Sequence, residues 1–405
     1  MSLLKLFFVT DLHGSTVCFR KFINAVLWSK PPDFLILGGD ISGKSVIPLI
    51  RQEDGQFTIP LNGELQSLSA DEVVHFKTQA EDRGAYIYEC STEDWKHFTY
   101  SAVEQQRVAQ ALQERRLTEW LVYARERLSK TKTRLIVNCG NDDDFFLDEI
   151  IESFPPIIFP EGKAIALDAD LTLLSVGYSN TTPWHCKREL TEPELRERID
   201  LIVRRAPKSE NCIFNFHCPP INTALDLAPK LDGKLRPSLG IDGVVMHHYG
   251  SVAVREAILK FNPLLSLHGH IHEQHVIEKL GVTVCVNPGT AYWTGSLQGV
   301  VATFDAGRLV GVHLTSERYS LESEKRWQTL CDLVIAALPS SINRMIMVLK
   351  KRPKSDAFEE QQELFERHRE AAEEKLNRIL SLLERRDAFE ANLHLDVEKK
   401  DNPDG

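Results

Sequence analysis

The sequence predicts an α/β fold in which β-sheets are covered by helices. Two observations lead to this prediction. Short apolar runs stop abruptly at Gly, Asp, Asn or His, as buried strands do: "LKLFFVT", "DFLILGG", "TRLIVNCG", "LTLLSVG" and "CIFNFH". Helix-like segments lie between several of these runs, at residues 17–28, 104–128, 192–205 and 251–261. This alternation of strands and helices is typical of α/β layers.

The last predicted strands of this α/β region follow another pattern, because no helix separates them. They read "QHVIEKLG", "VTVCVNPG", "GVVATFDAG" and "RLVGVHL". Such a succession predicts an antiparallel meander, which we expect to end near Leu314.

Two regions stand outside the strand–helix alternation. Residues 52–103 predict a hairpin around "FTIPLNGEL", a helix from Ser69 to about Arg83 and a strand at "AYIYE", which together indicate an inserted lid. Residues 316–405 predict a C-terminal helical extension with one apolar stripe. The stripe favours docking onto the body (residues 1–315), and contact with a protein partner or self-association is the alternative.

Composition narrows the class of protein. The chain has 405 residues, a formal net charge of -10 and a pI near 5.8, which argues against non-specific nucleic-acid binding. Its eight cysteines contain no CxxC pair, so a zinc ribbon is excluded and free thiols in the cytoplasm are expected. The first apolar run stops at Asp11, too soon for a signal peptide or a membrane span, and no membrane partner is expected.

Potential metal ligands follow the strands at the points where the strands end. They are Asp11, His13, Asp40, Asn141, His217, His270 and His272. Because ligands in α/β sheets bind outside the carboxyl ends of strands, these side chains can converge although they are far apart in the chain. Carboxylates and imidazoles without thiolates suit Mn, Fe or Zn. The set is large enough for two adjacent divalent ions if one Asp is shared.

The ordered motifs "DLH", "GGD", "GND", the lone His217 and "GHIH" resemble the calcineurin-like metallophosphoesterase superfamily over roughly residues 1–314. Within it, "GGDISGKSVIPLI", "REL" with "TEPEL", "GSVAVREAI" and "VNPGT" resemble a subgroup of predicted Icc-like phosphoesterases. The resemblance implies a four-layer αββα sandwich.

The resemblance also implies a metal site and a reaction. It places Asp11, His13 and His272 on one ion, Asn141, His217 and His270 on the other, and Asp40 on both. The implied reaction is hydrolysis of a phosphomonoester or phosphodiester, a small substrate, by in-line attack of a metal-bridging hydroxide. Its catalytic residues would be Asp40, Asn141, Asp142 and His217.

Asp142 is the departure from the family pattern, because many members have histidine there. Beside two cations a carboxylate stays ionised, so it cannot protonate a leaving group and it repels phosphate. Asp142 would then orient a neighbour or turn away, and His185 or the pair His247 and His248 would contact the substrate instead. An ordinary surface or packing role stays open for each of these histidines. Asp143 and Asp144 are expected to begin the "FFLDEII" helix.

The sequence also allows three alternative interpretations to be compared with this one, namely a P-loop nucleotide-binding protein, a protein scaffold and a nuclease. "GGDISGKS" matches the P-loop pattern, but Pro48 and β-branched residues follow it where a helix would be required. Lys44 in this motif is instead expected at the rim of the site, in contact with an anionic substrate. A non-catalytic scaffold for protein contacts is the second alternative. A nuclease of the same superfamily is the third, and the acidic balance counts against it.

Overall fold

The computed structural model describes residues 3–61, 64–206, 211–233, 236–240 and 243–316. The strands are β1 Leu4–Val9, β2 Phe34–Leu37, β3 Val46–Arg51, β4 Phe57–Leu61, β5 Glu64–Leu68, β6 Tyr86–Ser91, β7 Arg134–Val137, β8 Ala164–Ala166, β9 Thr172–Val176, β10 Ser179–Asn180, β11 Glu189–Leu190, β12 Cys212–Phe216, β13 Leu227–Pro229, β14 Leu239–Gly240, β15 Gly243–Val244, β16 Met246–His248, β17 Leu265–Leu267, β18 Val276–Leu280, β19 Thr283–Asn287, β20 Gln298–Asp305 and β21 Arg308–Ser316. The helices are α1 Thr16–Ile23, α2 Ala70–Asp82, α3 Thr92–Tyr100, α4 Ala102–Leu128, α5 Phe146–Glu152, α6 Glu192–Val203 and α7 Val252–Phe261. Short 3₁₀ turns lie at Asn24–Leu27, Ala224–Asp226 and Tyr292–Thr294.

The first sheet has the strand order β21-β20-β1-β2-β7. Its members β1, β2 and β7 run parallel, while β20 pairs antiparallel with β1. All four residues of β2, "FLIL", are buried, as expected for a strand that is covered on both faces. Because β1, β2 and β7 are parallel, the loops that follow them leave the same edge of the sheet.

The second sheet has the order β18-β19-β17-β12-β9-β8. Its four middle strands, from β9 to β19, run parallel, and the two outer strands are antiparallel to their neighbours. The loops after β12 and β17 therefore also leave one common edge.

The two sheets pack face to face between two layers of helices. Phe8 and Ile36 of the first sheet share a buried cluster with Ile213 and Leu265 of the second. The outer face of the first sheet packs against α1, α4 and α5, where the rings of Phe19 and Trp120 stack with centroids 4.4 Å apart. The outer face of the second sheet packs against α6 and α7. The predicted αββα sandwich is confirmed.

The predicted antiparallel meander is wrong in its pairing. Strands β18 and β19 form a hairpin at the edge of the second sheet, whereas β20 and β21 form a hairpin at the edge of the first. The chain thus crosses between the sheets after β19, and β20 pairs with β1. Local alternation of apolar and polar residues identifies strands, but it does not identify their partners.

The inserted segment forms a small sheet of order β5-β4-β3-β6 with its own apolar cluster. The predicted hairpin, helix and strand are all present, and Ser69 begins α2 through a capping box with Glu72. The sheet begins earlier than residue 52, because β3 pairs in parallel with β6.

The predicted C-terminal extension, residues 316–405, lies outside the described residues beyond Ser316. Among the helices of the described ranges, none has the length and the apolar composition that a bilayer span requires.

Candidate metal centre

The loops after β1, β2, β7, β12 and β17 bring all seven predicted ligands together. Ligand atoms within 4.8 Å of one another form two groups, and Asp40 belongs to both of them. The first group contains Asp11, His13, Asp40 and His272, and the second contains Asp40, His217 and His270. Asn141 joins the second group, because its Oδ1 lies 2.9 Å from Nδ1 of His270. These clusters of carboxylates and imidazoles can hold metal.

Contacts inside the clusters fit a cation. Nε2 of His13 lies 3.0 Å from Nε2 of His272, so two imidazole nitrogens are directed at the same point. His217 is 1% exposed, and both of its ring nitrogens lack a hydrogen bond within the described residues. Its Nε2 lies 3.3 Å from Oδ2 of Asp40, without hydrogen-bond geometry. A divalent ion would satisfy these converging nitrogens and oxygens, so the donor set fits such an ion.

The backbone at four of the predicted ligands is strained. The φ angle is 55° at Asp11, 41° at His13, 48° at Asp40 and 67° at His270, in the left-handed region that residues other than glycine rarely adopt. Hydrogen bonds between the loops hold this conformation, including His13 N to Asp40 O at 2.9 Å and His270 N to Asp11 Oδ1 at 3.1 Å. Strain of this kind concentrates at functional sites.

Two glycines allow the ligand loops to approach one another closely. A Cβ atom on Gly140 would lie 2.2 Å from Oδ1 of Asp40. A Cβ atom on Gly269 would lie 2.3 Å from Oδ2 of Asp11. The glycines in "CGND" and "LHGH" therefore provide the space in which the two carboxylates are held.

The site favours ionised carboxylates. Burial opposes the ionisation of Asp40, but the charge of the neighbouring His217 holds the Asp40 pKa well below its usual range. Burial lowers the pKa of His270 to about 4, so its imidazole is neutral, as a metal ligand must be. For His217, burial is outweighed by the neighbouring Asp40 carboxylate, which raises the pKa to about 9. The carboxylates thus attract positive charge into a buried site.

Asp143 is a buried link between the loops of Asp40 and Asn141, a role that sequence reasoning missed. Its carboxylate accepts hydrogen bonds from the backbone N–H groups of Ile41 at 3.0 Å, Ser42 at 2.9 Å and Gly140 at 2.8 Å. The expectation that Asp143 begins the following helix is wrong, because α5 starts at Phe146. No residue pattern distinguishes such a link from a helix start.

Asp144 lies closer to the predicted position, just before α5. Its Oδ1 accepts from the N–H of Phe145 at 2.7 Å, and its other oxygen forms an ion pair with Lys187. Asp144 is therefore partly exposed next to the helix, whereas Asp143 is fully buried.

Arg188 and His268 also position the ligand loops. Arg188 donates to the carbonyl of Asp143 at 2.9 Å and to both oxygens of Asp148 at 3.0 and 2.6 Å, which fixes the loop onto α5. Nδ1 of His268 lies 2.8 Å from the carbonyl oxygen of Phe216, so it supports the start of the His217 loop. The motifs "REL" and "LHGHIH" contained the only sequence signals for these two residues.

A cavity of about 750 Å³ adjoins the two ligand groups. One side is formed by predicted ligands together with Lys44, Asp142 and Cys186. The rest of the lining includes an apolar wall formed by Pro183, Trp184, Ile221, Ala228, Pro229, Leu231, Pro237 and Tyr249. A substrate with one anionic end and one organic end matches this arrangement.

The inserted segment does not line this cavity with any residue that the structure describes. It lies beside the metal-ligand loops instead. The hydroxyl of Tyr86 accepts from the N–H of Gly43 at 3.1 Å, and Ser15 donates to the carbonyl of Asp82 at 2.5 Å. Among the described residues, this segment thus contacts the ligand loops rather than the cavity, with Tyr86 of β6 on the loop after β2 and Asp82 of α2 on the loop after β1.

The four residues predicted to contact substrate divide into two pairs. Lys44 lines the cavity and forms an ion pair with Asp142, and His248 lines the cavity as well. His185 and His247 are exposed and do not line the cavity, which corrects their expected position. His247 lies on the other face of β16 from His248, because successive strand residues alternate. After Lys44 the chain enters β3 rather than a helix, so the P-loop reading is excluded.

Comparison with models of known protein families finds no match. Two solved structures align with most of this chain. One covers 79% of this chain and all of its own, with 16% identity and a TM-score of 0.45. The other, the crystal structure of TT1561 of Thermus thermophilus, covers 78% of this chain and 99% of its own, with 12% identity and a TM-score of 0.43.

One curated relative is similar in sequence. The uncharacterized protein MJ1162 of Methanocaldococcus jannaschii is 30% identical over 167 residues, which are 40% of this chain and 68% of that protein. The chain belongs to the same family as the uncharacterized protein MJ1162.

Proposed function

We propose that this protein is a metal-dependent phosphoesterase of the calcineurin-like metallophosphoesterase superfamily, in the Icc-like subgroup, acting in the cytoplasm. It hydrolyses a small phosphomonoester or phosphodiester with two divalent ions. The observation that carries the proposal is the position of Asp40, whose carboxylate belongs to both ligand groups at the end of one cavity. A shared carboxylate between two ligand sets is the arrangement that a dinuclear site requires.

Each ion has its own ligands in this proposal. Asp11, His13 and His272 would hold one ion, Asn141, His217 and His270 would hold the other, and Asp40 would bind both. Ions of the Mn, Fe or Zn type bound there would lower the pKa of a water molecule and offset the charge of phosphate oxygens.

The chain's own groups orient the reactants. The backbone N–H of Asp142 donates to Oδ1 of Asp40 at 2.9 Å and fixes the orientation of the shared carboxylate. Lys44 offsets the charge of the Asp142 side chain, which would otherwise repel a phosphate. The apolar wall receives the organic part of the ester. A phosphate group beside Asp40 would therefore extend its leaving group into the cavity.

The two alternative functions, a scaffold for protein contacts and a nuclease, require other structural features than the proposed phosphoesterase does. A scaffold for protein contacts needs no strained backbone at its metal ligands, yet four such residues have positive φ angles. A nuclease needs a basic groove with stacking aromatic residues. The cation that lines the described cavity, Lys44, is already paired with Asp142.

A hydrolysis screen tests the proposal. The wild-type protein and Asp40→Asn are incubated with Mn and with bis(p-nitrophenyl) phosphate, p-nitrophenyl phosphate and cyclic nucleotides. We expect turnover of at least one ester by the wild type and a loss of at least ~10³-fold in Asp40→Asn. Asp305→Asn, at the exposed end of β20, is the matched control and should keep wild-type activity. Activity that survives in Asp40→Asn would refute the dinuclear mechanism.

A further inference from the structure

His248 and Asp226 form a hydrogen-bonded pair in the wall of the cavity. Nδ1 of His248 lies 2.7 Å from Oδ1 of Asp226. Asp226 is fully buried, and its carboxylate also accepts from the backbone N–H groups of Thr223 at 3.0 Å and Gly250 at 2.9 Å. A carboxylate surrounded by donors remains an acceptor, so the proton of this pair lies on Nδ1 of His248. Nε2, at the opposite edge of the ring, is then left for the cavity that His248 lines.

The pair adjoins the loop that contains His270 and His272. Nδ2 of Asn287 donates to the carbonyl of Leu225 and to the carbonyl of Gly269, both at 3.2 Å. The turn that contains Asp226 is thereby tied to the ligand loop. In the β13–β16 hairpin His248 lies opposite Leu227, at the end near this turn, whereas Pro229 lies opposite Met246. His248 thus lies on the metal side of the apolar wall.

Three other possible proton donors line the cavity, namely Lys44, Cys186 and Tyr249. Lys44 forms an ion pair with Asp142. Burial and the neighbouring Asp142 carboxylate raise the pKa of the Cys186 thiol to about 12. The hydroxyl of Tyr249 accepts from the backbone N–H of Leu231 at 3.3 Å, farther along the hairpin. Among these side chains, His248 combines a position in the cavity wall with a buried carboxylate that orients its ring.

We propose that His248 donates the proton to the leaving group and that Asp226 is its positioning residue. This inference rests on the proposed phosphoesterase function. The bond between phosphorus and the leaving oxygen breaks, and the oxygen takes a proton from Nε2 of His248. A water oxygen forms the new bond to phosphorus and its proton passes to solvent, from which His248 regains one. His248 thereby supplies the acid that Asp142 cannot supply.

Leaving-group dependence tests this role. The substrates are bis(p-nitrophenyl) phosphate, which has a good leaving group, and diphenyl phosphate, which has the same diaryl phosphate framework without the nitro groups and a poorer leaving group. In His248→Gln, kcat for diphenyl phosphate should fall by about 100-fold, and kcat for the nitrophenyl ester by less than about 10-fold, because only the poorer leaving group depends on protonation. His247→Gln, the neighbouring exposed histidine, is the control and should change neither rate.

The outcomes separate the two proposals. Equal losses on both esters in His248→Gln would overturn the role of His248 while leaving the phosphoesterase intact. A wild-type protein that hydrolyses neither of these esters, nor p-nitrophenyl phosphate or a cyclic nucleotide, would remove the proposed function and this inference with it.

A second measurement does not depend on activity. Histidine ¹H–¹⁵N NMR of the metal-free protein should show neutral His248 in the Nδ1–H tautomer, with its signals assigned by their loss in His248→Gln. Asp226→Asn should shift these signals. It should also reduce kcat for diphenyl phosphate more than kcat for bis(p-nitrophenyl) phosphate, as His248→Gln does. A neutral His248 that carries its proton on Nε2 would contradict the proposed orientation.

Discussion

Lys44 forms an ion pair with Asp142 at the edge of the cavity, next to the predicted ligand Asn141. The lysine side chain is 56% exposed, so the pair contributes little to folding stability. Its effect lies in the local charge. In the proposed reaction the Asp142 carboxylate would repel the incoming phosphate, and the Lys44 ammonium offsets its charge. The departure at Asp142 is therefore accompanied by a compensating cation.

Removing Lys44 should weaken substrate binding. In Lys44→Met the uncompensated Asp142 carboxylate repels the ester, so we expect KM to rise by about 5- to 20-fold with a smaller change in kcat. Lys44→Met combined with Asp142→Asn should recover most of the loss, because the repelling charge is also gone. Steady-state kinetics on bis(p-nitrophenyl) phosphate measure both effects.

Lys187→Met is the matched control for this prediction. Lys187 pairs with Asp144 two residues along the same loop and does not line the cavity. Its KM should be unchanged. A double variant with the same KM as Lys44→Met would show that Lys44 acts independently of Asp142.

Asp143 should matter more for stability than its neighbour. Asp143→Ala leaves three buried backbone N–H groups without their acceptor, and we expect the free energy of unfolding to fall by about 3 kcal/mol. Asp144→Ala removes a largely exposed ion pair, with an expected change within about 1 kcal/mol. Urea unfolding measures both. Equal effects of the two variants would contradict the assigned link between the loops.

Metal should stabilise the folded protein through Asp40. A ligand that binds only the native state at 100 times its Kd adds about 2.7 kcal/mol to the free energy of unfolding. The midpoint of urea unfolding should therefore rise when Mn is added to the metal-free wild type. Asp40→Asn should lose most of this increase and Asp305→Asn should retain it. An unchanged midpoint in the wild type would argue against a metal site.

Gly140 should be required for metal binding, because its missing side chain leaves space for the Asp40 carboxylate. Its replacement by alanine places a methyl group 2.2 Å from Oδ1 of Asp40, which must move. We expect Mn affinity, measured by isothermal titration calorimetry, to fall by about 10- to 100-fold. Gly233→Ala, where an added Cβ meets no atom within 4 Å, is the control and should bind Mn as the wild type does. Normal affinity in Gly140→Ala would refute the steric argument.

Much of the fold and of the ligand set could be predicted from the sequence, because both depend on local signals. Apolar runs such as "FLIL" identify buried strands, and parallel strands place the residues after them at one edge, which is where Asp40 and Asn141 lie. Strand partners could not be predicted in the same way. Nothing in the segment of β20 indicates that it pairs with β1 rather than with β19.

Residues that act through tertiary contacts escaped the sequence reasoning. The sequence around Asp143 predicts the start of a helix. Only the folded structure shows that its carboxylate accepts hydrogen bonds from the N–H groups of Ile41 and Ser42. Likewise the sequence offered His185, His247 and His248 as equal candidates. The structure distinguishes them through the cavity wall and through Asp226, which is 22 residues away from His248 in the chain.

The most direct test of the central claim is the rate of bis(p-nitrophenyl) phosphate hydrolysis measured against the amount of Mn bound per chain. The metal-free protein is titrated with Mn, and bound metal and turnover are determined on the same samples. The account predicts that turnover rises to a plateau at two bound Mn ions per chain. Two bound ions without turnover of any phosphate ester would contradict it.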